Sequence, residues 1–323
     1  MFRSLVVPLD GSPLAAKALP YVAQVADPAA RITLVGVVQP PLDELFGGTR
    51  RADIAEMMER SSNLLWREVE TRAAGLRGQG LHVVTTVRRG DPAEEIIAGA
   101  QEARADLIVL TTHGWGGIRR WMLGSVANRL LHATAIPTLT IRVAEPESLA
   151  SPPPIDGVIV PLDGSVFAEQ TLSTAEGLAR RLAVPIDLIR VVDDRTSLSR
   201  ALPLSETAAL NRLTEAIGEE RTRAVEYLER IATPFTDAGC TVRQHVLVGD
   251  PATTLADAID EHPHAVVVMA THGERGTARW VFGSVAEKIV STASNPTLVL
   301  RPSTAGVTQA GISAEATAAR YPD

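Results

Sequence analysis

The hydrophobic pattern of this chain runs through one series of elements twice. Apolar residues from Ser4 to Leu9 lead into Pro-Leu-Asp-Gly-Ser, and Ile159 to Ser165 repeats that ending as Ile-Val-Pro-Leu-Asp-Gly-Ser, 153 residues later (163 minus 10). Each run predicts a strand entering a turn. Helical spacing follows in both copies, through Leu14, Ala18, Leu19, Val22 and Val25 and then through Leu172, Ala175, Leu178 and Leu182. Ser12 before Pro13 supplies a cap oxygen and then a residue whose missing N–H costs nothing. Branched runs from Ile32 to Val38 and from Ile186 to Val192 predict second strands. Gln39 to Arg50 and Asp193 to Ser205 share little with each other and read as loops. Long helices are predicted over Ala52 to Leu76 and Glu206 to Ile231, where Ile54, Met58, Leu65 and Val69, and Leu213, Ile217, Val225 and Leu228, are spaced for one buried face.

Third strands, Leu81 to Val87 and Thr241 to Val248, enter Gly-Asp-Pro turns in which Asp91 and Asp250 have the chemistry of helix caps. Fourth strands, Leu107 to Leu110 and Val266 to Met269, precede two glycine-rich stretches. These are Thr111 to Ser125 (TTHGWGGIRRWMLGS) and Ala270 to Ser284 (ATHGERGTARWVFGS), at an offset of 159 (284 minus 125). A helix and a short fifth strand close each copy, over Pro137 to Arg142 and Pro296 to Arg301. Alternating β and α elements, twice over, predict an α/β protein of two tandem doubly wound parallel sheets. The expected division is residues 1–142, a proline-bearing linker over 143–155, residues 156–302, and a tail over 303–323 with little to bury.

Composition narrows the partners more than the fold. Hydrophobic residues make up 45% of the 323 and charged residues 21%, the profile of a soluble globular chain. No apolar run approaches a spanning helix, so no membrane partner is expected. The apolar run Leu5 to Val7 is too short for a signal peptide, and Cys240, the only cysteine, reads as a buried apolar residue; both fit a cytoplasmic chain. A net charge of −7 and 4% aromatic residues argue against nucleic acid.

If strands run in the order 3-2-1-4-5, the winding direction reverses between strands 1 and 4, where open α/β sheets bind ligands. The loops meeting there are Asp10-Gly11-Ser12 with Thr111 to Ser125, and Asp163-Gly164-Ser165 with Ala270 to Ser284. Gly114 and Gly273 permit close backbone approach to a phosphate. Gly124-Ser125 and Gly283-Ser284 open the last helix of each half, where the N–H groups of Ser125, Val126, Ser284 and Val285 can face an anion. Asp10 and Asp163 are acceptors suited to ribose hydroxyls, and His113 and His272 are candidate phosphate donors ranked below the glycines. Plainer readings stand beside these. Asp-Gly-Ser is common turn chemistry, Ser284 with Glu287 matches a capping box, and Ser125 has the chemistry of a simple cap. Trp121 and Trp280 read as apolar anchors.

These residues resemble the universal stress protein family, in its ATP-binding branch and in a tandem two-domain form. The family signature is Gly, two residues, Gly, nine residues, then Gly-Ser or Gly-Thr; Gly114 precedes Gly124-Ser125 at that spacing, and Gly273 precedes Gly283-Ser284. The resemblance implies two Rossmann-like domains of the adenine nucleotide alpha hydrolase type, each with a five-stranded parallel sheet in the order 3-2-1-4-5. It implies ATP, with or without Mg2+, as the ligand. Asp10 and Asp163 would lie on the ribose, Val37 and Val191 against adenine, and the loops, with Gly117 and Gly276, on the phosphates. Pairing through the fifth strands is expected, as a homodimer or as a pseudo-dimer within the chain. Thr111 and Ala270 replace the signature's first glycine, and Glu274 stands where the first loop has Trp115. The function implied is nucleotide-dependent regulation in stress or growth arrest; the alternative is a module of the same fold without ligand. An adenylating or ATP-hydrolysing enzyme ranks third, because the sequence shows no Walker loop and no nucleophile-base set.

Overall fold

In a computed structural model the described residues are 2–41, 51–112, 123–143, 152–194, 206–271 and 282–301. The first half runs β1 (Phe2–Leu9), a 3-10 turn (Ala15–Ala18) continuing into α1 (Leu19–Val25), β2 (Ala26–Val38), α2 (Arg51–Gly78), β3 (His82–Arg89), α3 (Pro92–Glu102), β4 (Leu107–Thr111), α4 (Ser125–Ala133) and β5 (Thr138–Ile141). The second half runs β6 (Gly157–Pro161), α5 (Val166–Glu169), α6 (Leu172–Leu182), β7 (Ile186–Val192), α7 (Glu206–Asp237), β8 (Val242–Val248), α8 (Pro251–Asp260), β9 (Ala265–Ala270), α9 (Ser284–Thr292) and β10 (Thr297–Leu300). Leu107 to Leu110 and the whole of β9 are buried, as strands covered on both faces must be.

Each half has the expected order, β3-β2-β1-β4-β5 and β8-β7-β6-β9-β10, and the two join into one ten-stranded sheet. Neighbours are parallel except at the join. There β5 and β10 pair antiparallel, with Thr140 opposite Thr297, Leu139 opposite Leu298 and Thr138 opposite Val299. The Thr140 hydroxyl also donates to the Thr297 carbonyl at 3.1 Å. The fifth strands therefore meet within one chain, about an approximate twofold axis.

Helices cover both faces. On one, α1, α2, α6 and α7 pack on a single continuous core that includes Leu5, Leu34, Val69, Leu139, Ile155, Leu188, Leu228 and Leu298, so both halves share it. The other face has two cores, one under α3 and α4 around Val6, Ile108 and Leu130, the other under α8 and α9 around Ile159, Val267 and Ile289. Leu131 of α4 belongs to the second-half core, and the Ile155 N–H donates to the Gln24 side chain of α1 at 2.8 Å. Among the described residues no helix is long and apolar enough to cross a membrane. Cys240 is half-buried rather than buried, packed at the margin of the shared core.

Two elements run further than their patterns predict. β2 starts at Ala26, because its pairing with β1 slips from Phe2–Ala26 to Ser4–Arg31 and the intervening residues stay extended. α7 continues through Pro234 to Asp237. An interior proline costs about 3 kcal/mol, which burial of Ile231 and Ala232 and packing of Phe235 offset.

At the sheet edges, β3 ends in Arg88 and Arg89, and β8 carries Arg243, charges that discourage pairing with another chain. Asp187 of β7, only 2% exposed, accepts from Arg243 at 2.7 Å and lies 2.8 Å from the His245 ring. Because one core spans both halves, they should unfold in a single calorimetric transition. Leu298→Ala should lower stability by about 2–4 kcal/mol without splitting that transition. Two resolved transitions would contradict the shared core.

Candidate functional site

Strand register brings the expected residues to one edge. Val6 pairs with Ile108, so three residues on Leu9 is level with Thr111, and Leu9 pairs with Gly36. Asp10, Val37 and Thr112 therefore leave the carboxyl edge of the sheet side by side. In the second half Ile159 pairs with Val267 and Pro161 with Ile189, which places Asp163 level with Val191 and Thr271. The winding direction reverses between β1 and β4 and again between β6 and β9. Both points are the crevices where doubly wound sheets bind ligands.

The aspartate turns have one construction. Asp10 Oδ1 accepts from the Ser12 N–H at 2.9 Å, and the Ser12 hydroxyl accepts from Ala15 N–H at 3.0 Å. Asp163 Oδ1 accepts from Ser165 N–H at 2.9 Å, and the Ser165 hydroxyl accepts from Ala168 N–H at 3.1 Å. Gly11 and Gly164 sit at φ +82° and +85°, which a side chain would strain. The turn chemistry is thus present as the plainer reading had it, and it uses one oxygen of each carboxylate. Both aspartates stay exposed.

The glycine-rich stretches are closed at their necks. Gly124 N–H donates to the Thr112 carbonyl at 2.7 Å, and Gly283 N–H donates to the Thr271 carbonyl at 2.8 Å. Each bond ties the end of a fourth strand to the start of the helix that follows. Those helices differ at the cap from α3, α5 and α8, although α1 and α6 also start without a side-chain cap bond. Asp91 and Asp250 accept from Glu94 and Thr253 N–H groups, and Ser165 caps α5, whereas α4 and α9 have Gly124 and Gly283 as caps with no side-chain acceptor. Ser125 and Ser284 fall at the first helical position. The capping-box reading of Ser284 with Glu287, and the cap reading of Ser125, are corrected here: the cap falls one residue earlier, on a residue without a side chain.

Val37 and Val126 pack on one core, and Val191 and Val285 on its second-half counterpart, so the strand-2 valine and the helix start share a face in each half. Thr111 is half-buried in β4, paired with Ile141, and Ala270 is 9% exposed in β9, paired with Leu300. Their added Cβ atoms thus belong to strand residues. His113, Gly114, Gly117, Trp121, His272, Gly273, Glu274, Gly276 and Trp280 lie outside the described residues.

The halves part company beside the aspartate turns. In the first, Leu65 of α2 lies against Gly11 and Gly36, and an open depression of about 350 Å³ is lined by Asp10, Gly11, Leu64, Leu65, Arg67 and Glu68. In the second, Arg190 takes the place of Gly36. Its guanidinium fills the space that a Cβ on Gly164 would take and lies 4.9 Å from the Tyr227 ring centroid, with Arg230 at 5.2 Å. Burial raises the Tyr227 pKa, and the Glu169 carboxylate adds to the rise. The pattern reading passed over Arg190 and Tyr227; setting Gly36 beside Arg190 in the two repeats would have flagged the arginine, whereas Tyr227 shows only in the packing. Among the described residues no three His, Cys, Asp or Glu side chains gather as a metal site.

Fold and topology together define a tandem, doubly wound α/β protein whose winding direction reverses once in each half. The Universal stress protein family matches residues 1–142 and 155–301, and the chain belongs to that family. A universal stress protein of Mycolicibacterium smegmatis is 26% identical over 278 residues, covering 84% of this chain and 88% of that one. Universal stress protein YxiE of Bacillus subtilis is 27% identical over 148 residues, 44% of this chain and all of that one. The crystal structure of a universal stress protein from Archaeoglobus fulgidus superposes with a TM-score of 0.63 at 20% identity, covering 92% of this chain and 98% of that one, and so shares its fold.

Gly11→Ala and Gly164→Ala should each lower stability by roughly 1–2 kcal/mol through the left-handed backbone. Gly164→Ala should cost about 0.5–1 kcal/mol more, as Arg190 is pushed from Tyr227. Equal denaturant midpoints for the two variants would refute the Arg190 contact.

Proposed function

We propose that the chain binds ATP in its paired crevices and acts as a nucleotide-dependent regulator in stress or growth arrest. The observation that carries this reading is the repeated start of α4 and α9, where the cap is a glycine and offers no side-chain acceptor of its own to the first N–H groups. Donors of that kind suit phosphate oxygens, and the helix dipole favours negative charge there. Asp10 or Asp163 holds the ribose through the oxygen outside its turn, and Val37 or Val191 lies against adenine. The phosphates fall to the glycine-rich stretch, from Thr111 through His113, Gly114, Gly117 and Gly124 to Ser125 and Val126, and from Ala270 through His272, Gly273, Gly276 and Gly283 to Ser284 and Val285. Each N–H bond to a charged oxygen contributes roughly 1.5–3 kcal/mol, so three or four reach the ~8 kcal/mol of micromolar binding. Arg190 against Gly164 favours a second reading for that half alone, a crevice kept without ligand.

Nucleotide released on denaturing the purified chain, identified by mass spectrometry, together with calorimetric titration of ATP, tests the reading. Asp10→Asn should weaken ATP binding about tenfold, the loss of one charged hydrogen bond. No released nucleotide and no measurable affinity would remove the proposal, and unchanged affinity in both Asp10→Asn and Asp163→Asn would remove the ribose assignment.

A sharper variant deletes a donor without disturbing the helix. Ser125 and Ser284 stand at the first helical position, where proline is favoured, and Gly124 and Gly283 have ψ of 147° and 146°, compatible with a following proline. Ser125→Pro and Ser284→Pro should therefore leave thermal stability within about 2 °C and weaken ATP binding about tenfold in the half concerned. Unaltered binding in both variants would show that these amides do not meet phosphate.

A further inference from the structure

The last helix of each half is held at its far end by the other half. Arg142, just after β5, donates through Nη1 to the carbonyl of Thr292, the last residue of α9. Arg301, just after β10, reaches the carbonyls of His132 and Thr134 at the end of α4, both at 3.4 Å. The two arginines hold equivalent places, since 301 minus 142 is the 159-residue offset of the glycine-rich stretches. Each crosses the β5–β10 join to a helix C-terminus, where carbonyls lack intrahelical donors and the dipole favours a cation. Burial pulls the Arg142 pKa down and Asp260 opposes that shift, but a guanidinium stays charged throughout the working range.

Other contacts tie the same helix ends across the join. The His132 ring lies 5.6 Å from that of Phe282, the residue before the α9 cap. Leu131 packs in the second-half core, and Leu123, before the α4 cap, packs on both cores. The C-terminus of α4 is therefore fixed beside the start of α9, and both helices carry their uncapped N–H groups at the opposite end from the arginine.

We infer that Arg142 and Arg301 are crossed positioning residues: Arg301 of the second half sets the α4 amides of the first-half crevice, and Arg142 of the first half sets the α9 amides of the second. The inference rests on the nucleotide reading for its ligand. A helix of nine residues moves as a rigid rod, so loosening its C-terminus tilts the donors at its N-terminus. Neither arginine belongs to the crevice it serves, and the dependence runs across the chain rather than within a half.

Hydrogen exchange of the full-length chain, read on peptides covering 123–133 and 282–292 with and without ATP, separates the two ends. In Arg301→Gln, exchange in the absence of ATP should rise across the end of α4 and not of α9. The ATP concentration that protects 123–133 should rise about three- to tenfold, and that for 282–292, whose Phe282 meets the end of α4, by clearly less. Arg142→Gln should do the reverse, and Arg301→Lys and Arg142→Lys, which keep the charge, should recover part of the loss. Equal effects on both peptides, effects confined to the mutated half, or no effect would overturn the inference. If ATP protects neither peptide in the unsubstituted chain, the nucleotide reading falls instead. The exchange measured without ATP then decides the clamp by itself: it stands if each variant loosens only the opposite helix.

Discussion

The antiparallel ladder between β5 and β10 is the constraint on which the remaining architecture depends. Each fifth strand is four residues long and almost wholly buried, so neither could end a sheet without exposing apolar surface and a row of unpaired backbone groups. Pairing removes both edges. Three residue pairs are too few to hold two domains, and the continuous core beneath them, with Leu139 and Leu298 opposite each other at its centre, carries that load. Among the described residues β3 and β8 are then the sheet edges, and both carry charge.

Given that ladder, the rest of each crevice follows from strand direction. Parallel strands deliver Asp10, Val37 and Thr112 to one edge, and the winding direction reverses between β1 and β4, the place where doubly wound sheets form a crevice. The neck bond from Gly124 to Thr112 places a helix start at the rim of that place. A side-chain acceptor at the cap would satisfy those N–H groups locally, as Asp91 does for α3. Glycine there supplies no such acceptor.

Much of this was legible in the chain. Strand runs such as Ile186 to Val192 and the order of elements came from periodicity alone, since a strand buried on both faces has few ways to be written. What escaped was decided by contacts between distant segments. The early start of β2 reflects a slip against Phe2, and the persistence of α7 past Pro234 reflects packing that outweighs a local preference. The cap of α9 escaped for a different reason: Ser-x-x-Glu fits the capping-box pattern, but the chain turns one residue sooner. Arg190 was passed over because a strand-end arginine looks like surface until Gly164 and Tyr227 are seen beside it.

The two halves differ most where the shared core constrains them least. Thr-Leu-Thr-Ile of β5 and Thr-Leu-Val-Leu of β10, at the join, are nearly the same segment. One strand beyond β1 and β6, Thr33 and Gly36 of β2 face Asp187 and Arg190 of β7 in the repeat, and at the outer edge β3 and β8 have little in common. A substitution in β5 or β10 must suit both halves at once, because each strand is the other's neighbour. A substitution in β7 answers only to β6, β8 and the helices over it, so a buried carboxylate can enter if Arg243 and His245 enter with it. The crevices lie between these regimes. Their helix-start end is anchored to the join through β4, α4, β9 and α9, whereas the end at the aspartate turns borders β2 or β7, which differ between the halves. Chemical differences between the two sites should therefore concentrate around Asp10 and Asp163, with the helix starts remaining equivalent.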